Sequence, residues 1–215
     1  MDVTRYCRVV GGPLKTNTYI VYEGDVGFVV DPGAYLGDVI ARLKRLRIKD
    51  LRFIIATHGH FDHVFYAGRL CSLFNARFYI HGLDVGIASD YRAVAERLYG
   101  DVYEMPEDVG YLHDGMTLRL AEDFEIRFIH APGHTRGSTC ILTEGLLITG
   151  DTLFKGTVGR TDFPESSQDE MASSLRRLAS LPDDLTVLPG HGDTTTLGRE
   201  KRTNPFMRDL LKNDA

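Results

Sequence analysis

The spacing of apolar residues changes from short runs to a helical repeat within the first quarter of the chain. Runs rich in β-branched and aromatic residues, separated by turns that contain glycine, predict strands at residues 3–10, 18–23 and 26–31. Residues 36–47 place leucine, valine and isoleucine three or four positions apart, which predicts an amphipathic helix. The apolar run at residues 53–57 predicts the next strand. The chain therefore begins with a hairpin-type sheet and continues with strand, helix and strand.

Helices and strands continue to alternate toward the C-terminus. The further predicted elements are helices at residues 63–74, 83–100 and 167–180, strands at residues 77–80, 117–120, 125–131, 139–143, 145–150 and 185–189, and a helical C-terminal segment. Short turns join the early strands and helices join others, so we expect both antiparallel and crossover pairings. This order predicts an α/β (α+β) fold with more than one sheet. No linker or internal repeat divides the chain, which predicts a single domain over residues 1–215.

Composition and charge exclude several classes of protein. Of the 215 residues 43% are hydrophobic and 26% are charged, which excludes a disordered, collagen-like or disulfide-scaffold chain. The net charge of −5 gives no general basic excess for nucleic acid or an anionic membrane. We therefore expect no nucleic-acid or membrane partner.

The cysteines and the N-terminus favour a cytoplasmic protein. No run approaches the ~18 apolar residues of a membrane-spanning helix, and residues 1–12 lack the layout of a signal peptide. Cys7, Cys71 and Cys140 are far apart and form no CxxC motif, so we expect neither a disulfide framework nor a cysteine zinc site. Cys140 lies in a predicted strand and fits a buried core thiol.

The candidate chemistry is concentrated in the sequence THGHFDH at residues 57–63, which begins where an apolar strand ends. In an extended segment positions i and i+2 face the same way, so His58 and His60 can reach one ion. Asp62 and His63 lie where the chain turns into the next helix. Imidazole suits zinc, iron and other divalent ions, and a carboxylate adds negative charge. Two adjacent metal ions could share this loop.

Three more polar residues follow predicted strands and lie next to glycine. They are His134 in APGHT, Asp151 in TGDT and His191 in PGHG. Loops at strand ends can converge on one crevice, so their recurrence predicts that these side chains join residues 57–63 in one site. His81 follows a predicted strand and could line the pocket, although a structural role in the loop fits it better, and His113 and His130 are interpreted as structural.

These motifs, together with Asp31 at the end of the strand FVVD, resemble those of the metallo-β-lactamase superfamily over nearly the whole chain. Within it the chain is most similar to short glyoxalase II-like (hydroxyacylglutathione hydrolase-like) thioester hydrolases that lack the C-terminal helical domain. The segments GRTDF at residues 159–163 and PGHGD at residues 189–193, with the tail 194–206, carry this finer resemblance. The resemblance implies a four-layer αββα sandwich with metal ions at one edge, between two sheets.

The resemblance also implies a ligand set for two divalent ions, zinc first, with iron or manganese as alternatives. It assigns His58, His60 and His134 to the first ion, Asp62, His63 and His191 to the second, and Asp151 to both. A metal-bridging hydroxide would be the nucleophile, and Asp62 would be the catalytic carboxylate that orients it. Residual positive charge would stabilise the oxyanion. Asp31 would steady the metal loop from behind the ligands, although its position also fits a turn-initiating aspartate.

The expected substrate is a small-molecule acyl thioester or related small acyl ester. Lys155 and Arg160 lie on the loop after Asp151, and Arg199 follows His191, so each is a candidate to bind a substrate carboxylate. Asp193 stands where larger glyoxalase II enzymes have tyrosine, so glutathione specificity is not predicted. A segment before the third histidine motif could form a lid or channel wall, or pack in the core, through its tyrosines Tyr91, Tyr99 and Tyr103. The sequence does not indicate an oligomeric state.

The alternative function is a mononuclear iron persulfide (sulfur) dioxygenase of the same superfamily. Such an enzyme would use the equivalents of His58, His134 and Asp151 around one iron. We favour the hydrolase because the PGHG segment resembles the binuclear hydrolases more closely. His60 argues against an electron-transfer di-iron protein, in which glutamate is typical at that position, and length and charge argue against a nuclease. A binding protein without catalysis would be expected to lack one or more ligands, and none is missing.

Overall fold

Two six-stranded sheets form the framework of the computed structural model, which describes residues 5–213. The first sheet keeps the order of the chain: β1 (Arg5–Gly11), β2 (Thr16–Glu23), β3 (Val26–Val30), β4 (Asp50–Ile55), β5 (Arg77–His81) and β6 (Val109–Leu112). The pairs from β1 to β3 are antiparallel, and the pairs from β3 to β6 are parallel. The predicted mixture of hairpin and crossover pairing is therefore confirmed.

Helices provide the crossovers that parallel strands require. These are α1 (Leu36–Leu46) before β4, α2 (Phe61–Val64) and α3 (Ala67–Phe74) before β5, and α4 (Val85–Asp90) and α5 (Arg92–Tyr99) before β6. A single 3-10 turn, Gly82–Asp84, connects β5 to α4. The helix predicted over 36–47 is thus confirmed as α1.

The second sheet has the strand order β14-β13-β10-β9-β8-β7. Its strands are β7 (Thr117–Ala121), β8 (Phe124–His130), β9 (Thr139–Thr143), β10 (Leu146–Gly150), β13 (Thr186–Pro189) and β14 (Thr195–Thr196). The parallel pair β10 and β13 is joined through α6 (Gln168–Ala179). A small hairpin, β11 (Leu153–Phe154) and β12 (Thr157–Val158), precedes α6, and α7 (Leu197–Thr203) and α8 (Pro205–Asn213) end the described chain.

Three apolar layers separate four layers of secondary structure. The first lies between the first sheet and its helices, where Val39 and Leu43 of α1 pack with Ile54 of β4. The second lies between the two sheets and contains Phe28 and Phe128. The third, which includes Leu147 of β10, lies between the second sheet and α6 to α8. This arrangement confirms the predicted four-layer αββα sandwich. No helix among residues 5–213 is long and apolar enough to cross a membrane.

One predicted helix, over residues 63–74, is wrong as a single element. The structure divides it into α2 and α3 and starts the first of them at Phe61. Tyr66 lies between the two with φ −101° and ψ 15°, and its N–H donates to the Pro32 carbonyl at 3.0 Å. This tertiary hydrogen bond interrupts a segment whose apolar spacing is helical throughout.

Other differences concern short or irregular elements. The predicted helix at 83–100 is a 3-10 turn followed by α4 and α5, which are separated at Tyr91 with φ −92° and ψ 10°. Strands β6, β11, β12 and β14 were not predicted, because two to four residues show no usable periodicity. Residues 3 and 4 of the first predicted strand lie outside the described residues. The remaining predicted strands agree with the structure to within a few residues.

Hydrogen bonds between the two sheets bring the strand ends together at one edge. The Asn17 N–H of β2 donates to the Gly190 carbonyl at 2.7 Å, just after β13. The buried Tyr19 hydroxyl donates to the Pro189 carbonyl at 2.8 Å. The Thr139 N–H at the start of β9 donates to the Thr57 carbonyl at 2.8 Å. The loops that follow β4, β8, β10 and β13 consequently meet in one place.

Candidate metal centre

Seven side chains from four loops converge at this edge of the sandwich. Their ligand atoms form three groups whose members all lie within 4.8 Å of one another: His58, His60 and His134; Asp62, His63 and His191; and His58, His63 and Asp151. The first group is called the first triad below, and the second group is called the second triad. Every metal ligand expected from the sequence is therefore brought to the same place.

In the first triad, one nitrogen of each imidazole ring faces the other two rings. These three atoms, called the inner nitrogens below, are very close to one another. His58 Nε2 lies 3.1 Å from His60 Nδ1, which lies 2.9 Å from His134 Nε2. His58 and His60 both reach the first triad from the loop after β4, so the two side chains share one side of that loop. His134 approaches from the loop after β8.

The other ring nitrogens of His60 and His134, called the outer nitrogens, contact oxygen atoms that determine which nitrogen carries the proton. His134 Nδ1 lies 2.9 Å from the Arg160 carbonyl, and His60 Nε2 lies 3.1 Å from Glu165 Oε1. Because these oxygens only accept, the outer nitrogens of the two rings donate. The inner nitrogens then present lone pairs to each other at about 3 Å, an arrangement that repels unless a cation lies among them.

His58 is oriented in the same way through two intermediaries. Its Nδ1 lies 3.1 Å from Thr57 Oγ1, and that hydroxyl donates to Asp31 Oδ2 at 2.9 Å. The Thr57 oxygen can therefore accept from His58 Nδ1, which leaves His58 Nε2 as a lone pair aimed at the first triad. All three rings of the triad fit a divalent metal ion.

The second triad is built around Asp62. Asp62 Oδ2 lies 3.2 Å from His191 Nε2 and 3.4 Å from His63 Nε2, and these two nitrogens are 3.3 Å apart. Thr16 of β2 holds the same carboxylate oxygen through a hydrogen bond of 2.7 Å. On the far side of the ring, His63 Nδ1 lies 2.9 Å from Asp31 Oδ2. One carboxylate and two imidazoles are thus held ready for a second cation.

Asp151 lies between the two triads. Its Oδ1 is 3.5 Å from His63 Nε2, and its Oδ2 is 3.6 Å from His134 Nε2 and 3.7 Å from His191 Nε2. Its Oδ1 is buried and has no hydrogen-bond partner among the described residues. Leaving a carboxylate oxygen buried without a donor is costly, whereas two cations on either side would satisfy it. The position fits a carboxylate shared by two ions.

Asp31 lies behind both triads and contacts Thr57 and His63. It is fully buried, and its Oδ1 accepts from the Thr57 N–H at 2.7 Å while its Oδ2 faces Thr57 Oγ1 and His63 Nδ1. The backbone of Asp31 has φ 51°, in the left-handed region that aspartate tolerates better than most residues. The carboxylate therefore orients His58 through Thr57 and His63 directly.

The electrostatic surroundings differ between the two triads. Burial lowers the pKa of His58 and His134, and the neighbouring histidines lower the pKa of His58 further. Burial opposes charge on His63 as well, but Asp62 and the other nearby carboxylates raise its pKa. Burial would raise the pKa of Asp62, but His63 and His191 outweigh it and hold that pKa low. His58 and His134 therefore favour the neutral form, and the second triad favours a cation beside its carboxylates.

A cavity of about 390 Å³ opens above the centre. Five of the predicted ligands line it: His60, Asp62, His134, Asp151 and His191. The remaining lining residues are mostly apolar or aromatic: Leu14, Phe61, Tyr91, Phe154, Thr157, Val158, Arg160 and Phe163. A small molecule that enters it would meet the ligand groups on one side and apolar side chains on the others.

Only one of the three expected substrate-binding cations lines this cavity. Arg160 does so, but its Nε and Nη2 both donate to the Asp162 carboxylate at 2.8 Å, and its guanidinium lies 4.3 Å from the centroid of Phe163. Lys155 does not line the cavity and pairs with Asp193 at 3.2 Å. Arg199 is exposed on α7 and does not line the cavity either.

Of the three tyrosines before the third histidine motif, one lines the cavity and two pack in the core. Tyr91 lines the cavity, and its ring centroid is 6.2 Å from that of His60. Tyr99 and Tyr103 are buried in the first apolar layer instead. Tyr99 stacks on Phe65 with ring centroids 3.7 Å apart.

The cysteines and other histidines lie outside the centre. Cys140 is fully buried in β9, and burial raises its pKa to about 12. Burial raises the pKa of Cys71 to about 12 as well. All three cysteines are free thiols. His81 stacks on His130 with ring centroids 4.4 Å apart, and neither lines the cavity.

Sequence reasoning missed three residues that support the centre. Asp84 is fully buried at the end of the 3-10 turn after β5, and its position after a strand is a signal that could have found it. Glu165, which meets His60, lies in a loop without a motif. Thr16, which holds Asp62, is distant in the sequence and gives no local signal.

Comparison with known proteins agrees with this geometry. Residues 11–191 match the family model described as the metallo-beta-lactamase superfamily. The chain is 34% identical over 184 residues to the hydroxyacylglutathione hydrolase GloC of Haemophilus influenzae, a match that covers 83% of this chain and 86% of that protein.

Solved structures resemble the chain over nearly its whole length. TTHA1623, crystallised in a di-iron-bound form, is 35% identical with a TM-score of 0.81, covering 93% of this chain and 99% of the other. The B3 metallo-beta-lactamase BLEG-1 is 28% identical with a TM-score of 0.79, covering 94% of this chain and 99% of the other.

We expect Asp151→Ala to lose metal from both triads, because it removes the carboxylate that faces both. The loss of affinity should exceed the roughly 10–100-fold that removal of an outer partner costs. Metal content per folded chain, measured after equilibration with limiting Zn²⁺, checks this. The control is Asp193→Ala, which removes an exposed carboxylate outside the centre. Retention of a full metal complement by Asp151→Ala would refute the shared position.

Proposed function

The chain belongs to the metallo-beta-lactamase superfamily, and from this premise we propose that it is a binuclear metal-dependent hydrolase of small acyl thioesters. One observation carries the proposal: two ligand triads lie side by side, with Asp151 between them, on one wall of an otherwise largely apolar cavity. The similarity to a protein named hydroxyacylglutathione hydrolase supports the choice of a thioester.

The ligand assignment follows the two triads. In this proposal His58, His60 and His134 would hold the first ion, Asp62, His63 and His191 would hold the second, and Asp151 would be shared by both. Zinc suits the imidazole-rich first triad, with iron or manganese as alternatives, and the di-iron form of TTHA1623 makes iron a serious candidate. When bound, the two ions would lower the pKa of a coordinated water and stabilise negative charge on the attacked carbonyl oxygen.

Asp62 has the position required to direct the attacking water. It lines the cavity and is almost fully buried, and Thr16 holds its Oδ2. Its Oδ1 is then the oxygen that can accept a proton of the water and hold it toward the substrate carbonyl. His63 and His191 hold the pKa of Asp62 low, and a cation bound by these two imidazoles would keep the carboxylate ionised in their place.

No protein nucleophile is needed for this reaction. The Cys140 thiol is fully buried and its pKa is raised to about 12, so the reactive thiolate is scarce near neutral pH. Cys7 and Cys71 do not line the cavity. Water is therefore the nucleophile in the proposed mechanism.

The cavity walls favour a substrate without negative charge in its thiol portion. Phe61, Phe154 and Phe163 line the cavity, and among the described residues Arg160 contributes its only lysine or arginine side chain. Its charge is already balanced by the paired carboxylate of Asp162. A thioester of glutathione would place two carboxylates near walls that offer them no unpaired cation. We therefore propose thioesters of uncharged thiols as the better substrates.

The persulfide dioxygenase remains the competing hypothesis. It would require one iron held by His58, His134 and Asp151, and the second triad would have no direct role. The geometry favours the hydrolase, because His191 approaches within 3.2 Å of Asp62 and completes a second ligand set. The role of His191 therefore distinguishes the two functions.

We expect His191→Ala to reduce thioester cleavage by about two or more orders of magnitude, because losing the second cation removes charge that stabilises the transition state. The measurement is thiol release from a panel of acyl thioesters under anaerobic conditions. Oxygen uptake with glutathione persulfide is followed in parallel. The control is His113→Ala, which changes an exposed histidine outside the centre. Rapid oxygen uptake by an enzyme with one iron, unaffected by His191→Ala, would establish the dioxygenase instead.

We also expect faster cleavage, measured as kcat/KM, of S-lactoyl-N-acetylcysteamine than of S-lactoylglutathione. Asp162→Asn should free Arg160 and raise kcat/KM for the glutathione thioester by about two- to fivefold, as an exposed ion pair permits. The neutral thioester should be unaffected. Asp193→Asn is the matched control, because it releases Lys155, which does not line the cavity. A wild-type preference for the glutathione thioester would contradict this substrate class.

A further inference from the structure

Asp84 is a buried carboxylate whose hydrogen-bond donors come from two other loops. Its Oδ2 accepts from the Gly59 N–H at 2.9 Å and from Thr135 Oγ1 at 2.6 Å. Its Oδ1 accepts from the Gly137 N–H at 2.7 Å. The residue is fully buried, and these three donors are neutral. A carboxylate is costly to bury, so it persists only where such donors are held in place.

The donors belong to the two loops that carry the first triad. Gly59 lies between His58 and His60, and Thr135 follows His134 directly. A single carboxylate therefore ties the loop after β4 to the loop after β8. The separation of the two loops sets the distance between His60 Nδ1 and His134 Nε2, which is 2.9 Å.

Two glycines are required for this close approach. A side chain at Gly137 would place its Cβ 2.6 Å from the Cγ of Asp84, which no real contact permits. A side chain at Gly59 would collide with the backbone carbonyl of Asp84. Both loops therefore approach Asp84 as closely as the backbone allows, and the carboxylate has little freedom to shift.

The second triad is supported by different groups. Asp62 is held by Thr16, and His63 is held by Asp31. The hydrogen bonds of Asp84 do not go to these supports: they go to Gly59, between two ligands of the first triad, and to the loop of His134, which carries no ligand of the second triad. A change at Asp84 should therefore affect the two triads unequally.

We propose that Asp84 is a positioning residue that fixes the spacing of His58, His60 and His134 and thereby sets the metal affinity of the first triad selectively. The inference rests on the proposed function only in requiring that the centre binds metal. Ligands held in place bind an ion more tightly than ligands that must first be ordered, and residues behind metal ligands commonly contribute about 10–100-fold in affinity.

The test measures Zn²⁺ affinity in two backgrounds that each retain one triad. His191→Ala leaves the first triad complete, and His134→Ala leaves the second triad complete. Asp84→Asn is added to each, and Zn²⁺ is titrated against a chromophoric chelator. Asparagine cannot accept at both oxygen positions, so at least one backbone donor loses its partner. We expect a loss of about 10–100-fold in the His191→Ala background and less than about twofold in the His134→Ala background.

Two controls separate positioning from general destabilisation. Val39→Ala opens a small cavity in the first apolar layer, on α1, which carries none of the seven ligands, and should lower the melting temperature without changing either affinity. Thr135→Val removes one donor to Asp84 and keeps the shape of the side chain, so it serves if Asp84→Asn does not fold. Thr135→Val should lower the Zn²⁺ affinity of the first triad alone, by a smaller factor than Asp84→Asn.

The outcomes are distinguishable. Equal loss of affinity in both backgrounds, or a lower melting temperature with unchanged affinities, would overturn the positioning role of Asp84. Failure of the unsubstituted chain to bind Zn²⁺ or another divalent ion would instead reject the proposed function, whatever the effect of Asp84→Asn.

Discussion

The inner nitrogens of His58, His60 and His134 approach one another at 2.9 and 3.1 Å, while their outer nitrogens donate to oxygen acceptors. Lone pairs crowded in this way repel unless a cation lies among them, and the rest of the site follows from this requirement. Asp151 has a buried oxygen that lacks a donor and lies beside His63 of the second triad. A second cation there would offset the cost of burying this carboxylate. The ligand atoms of the centre are therefore held where their lone pairs and negative charges repel one another. A pair of divalent ions would offset this repulsion.

The fold offsets this repulsion by holding in place the loops that carry the ligands. The ligands follow strands of two sheets, and the sheets are joined at that edge by hydrogen bonds from Asn17 and Tyr19 to the segment after β13. Two buried carboxylates then hold the loops from behind. Asp31 serves His63 and, through Thr57, His58, whereas Asp84 joins the two loops of the first triad. The apolar layers supply stability, and the carboxylates supply the geometry.

The sequence predicted which side chains meet at this edge, because chemistry and position coincide in them. His134, Asp151 and His191 each follow an apolar strand beside glycine, and strand ends meet at one edge of a sandwich. It could not predict partners that are set only by tertiary contacts: Glu165 behind His60, or Thr16 behind Asp62. The expected role of Lys155 is likewise unsupported by the structure, because its pairing with Asp193 depends on how two distant loops fold together. The break at Tyr66 arises for the same reason, since its partner is the Pro32 carbonyl.

Anomalous diffraction from wild-type crystals grown with excess Zn²⁺ tests the two-ion centre most directly. The account predicts two anomalous peaks, about 3.5–4 Å apart as in other two-metal sites, with the Asp151 carboxylate between them. One peak should lie among His58, His60 and His134, and the other among Asp62, His63 and His191. A single peak held by His58, His134 and Asp151, with the second triad empty at saturating metal, would contradict it.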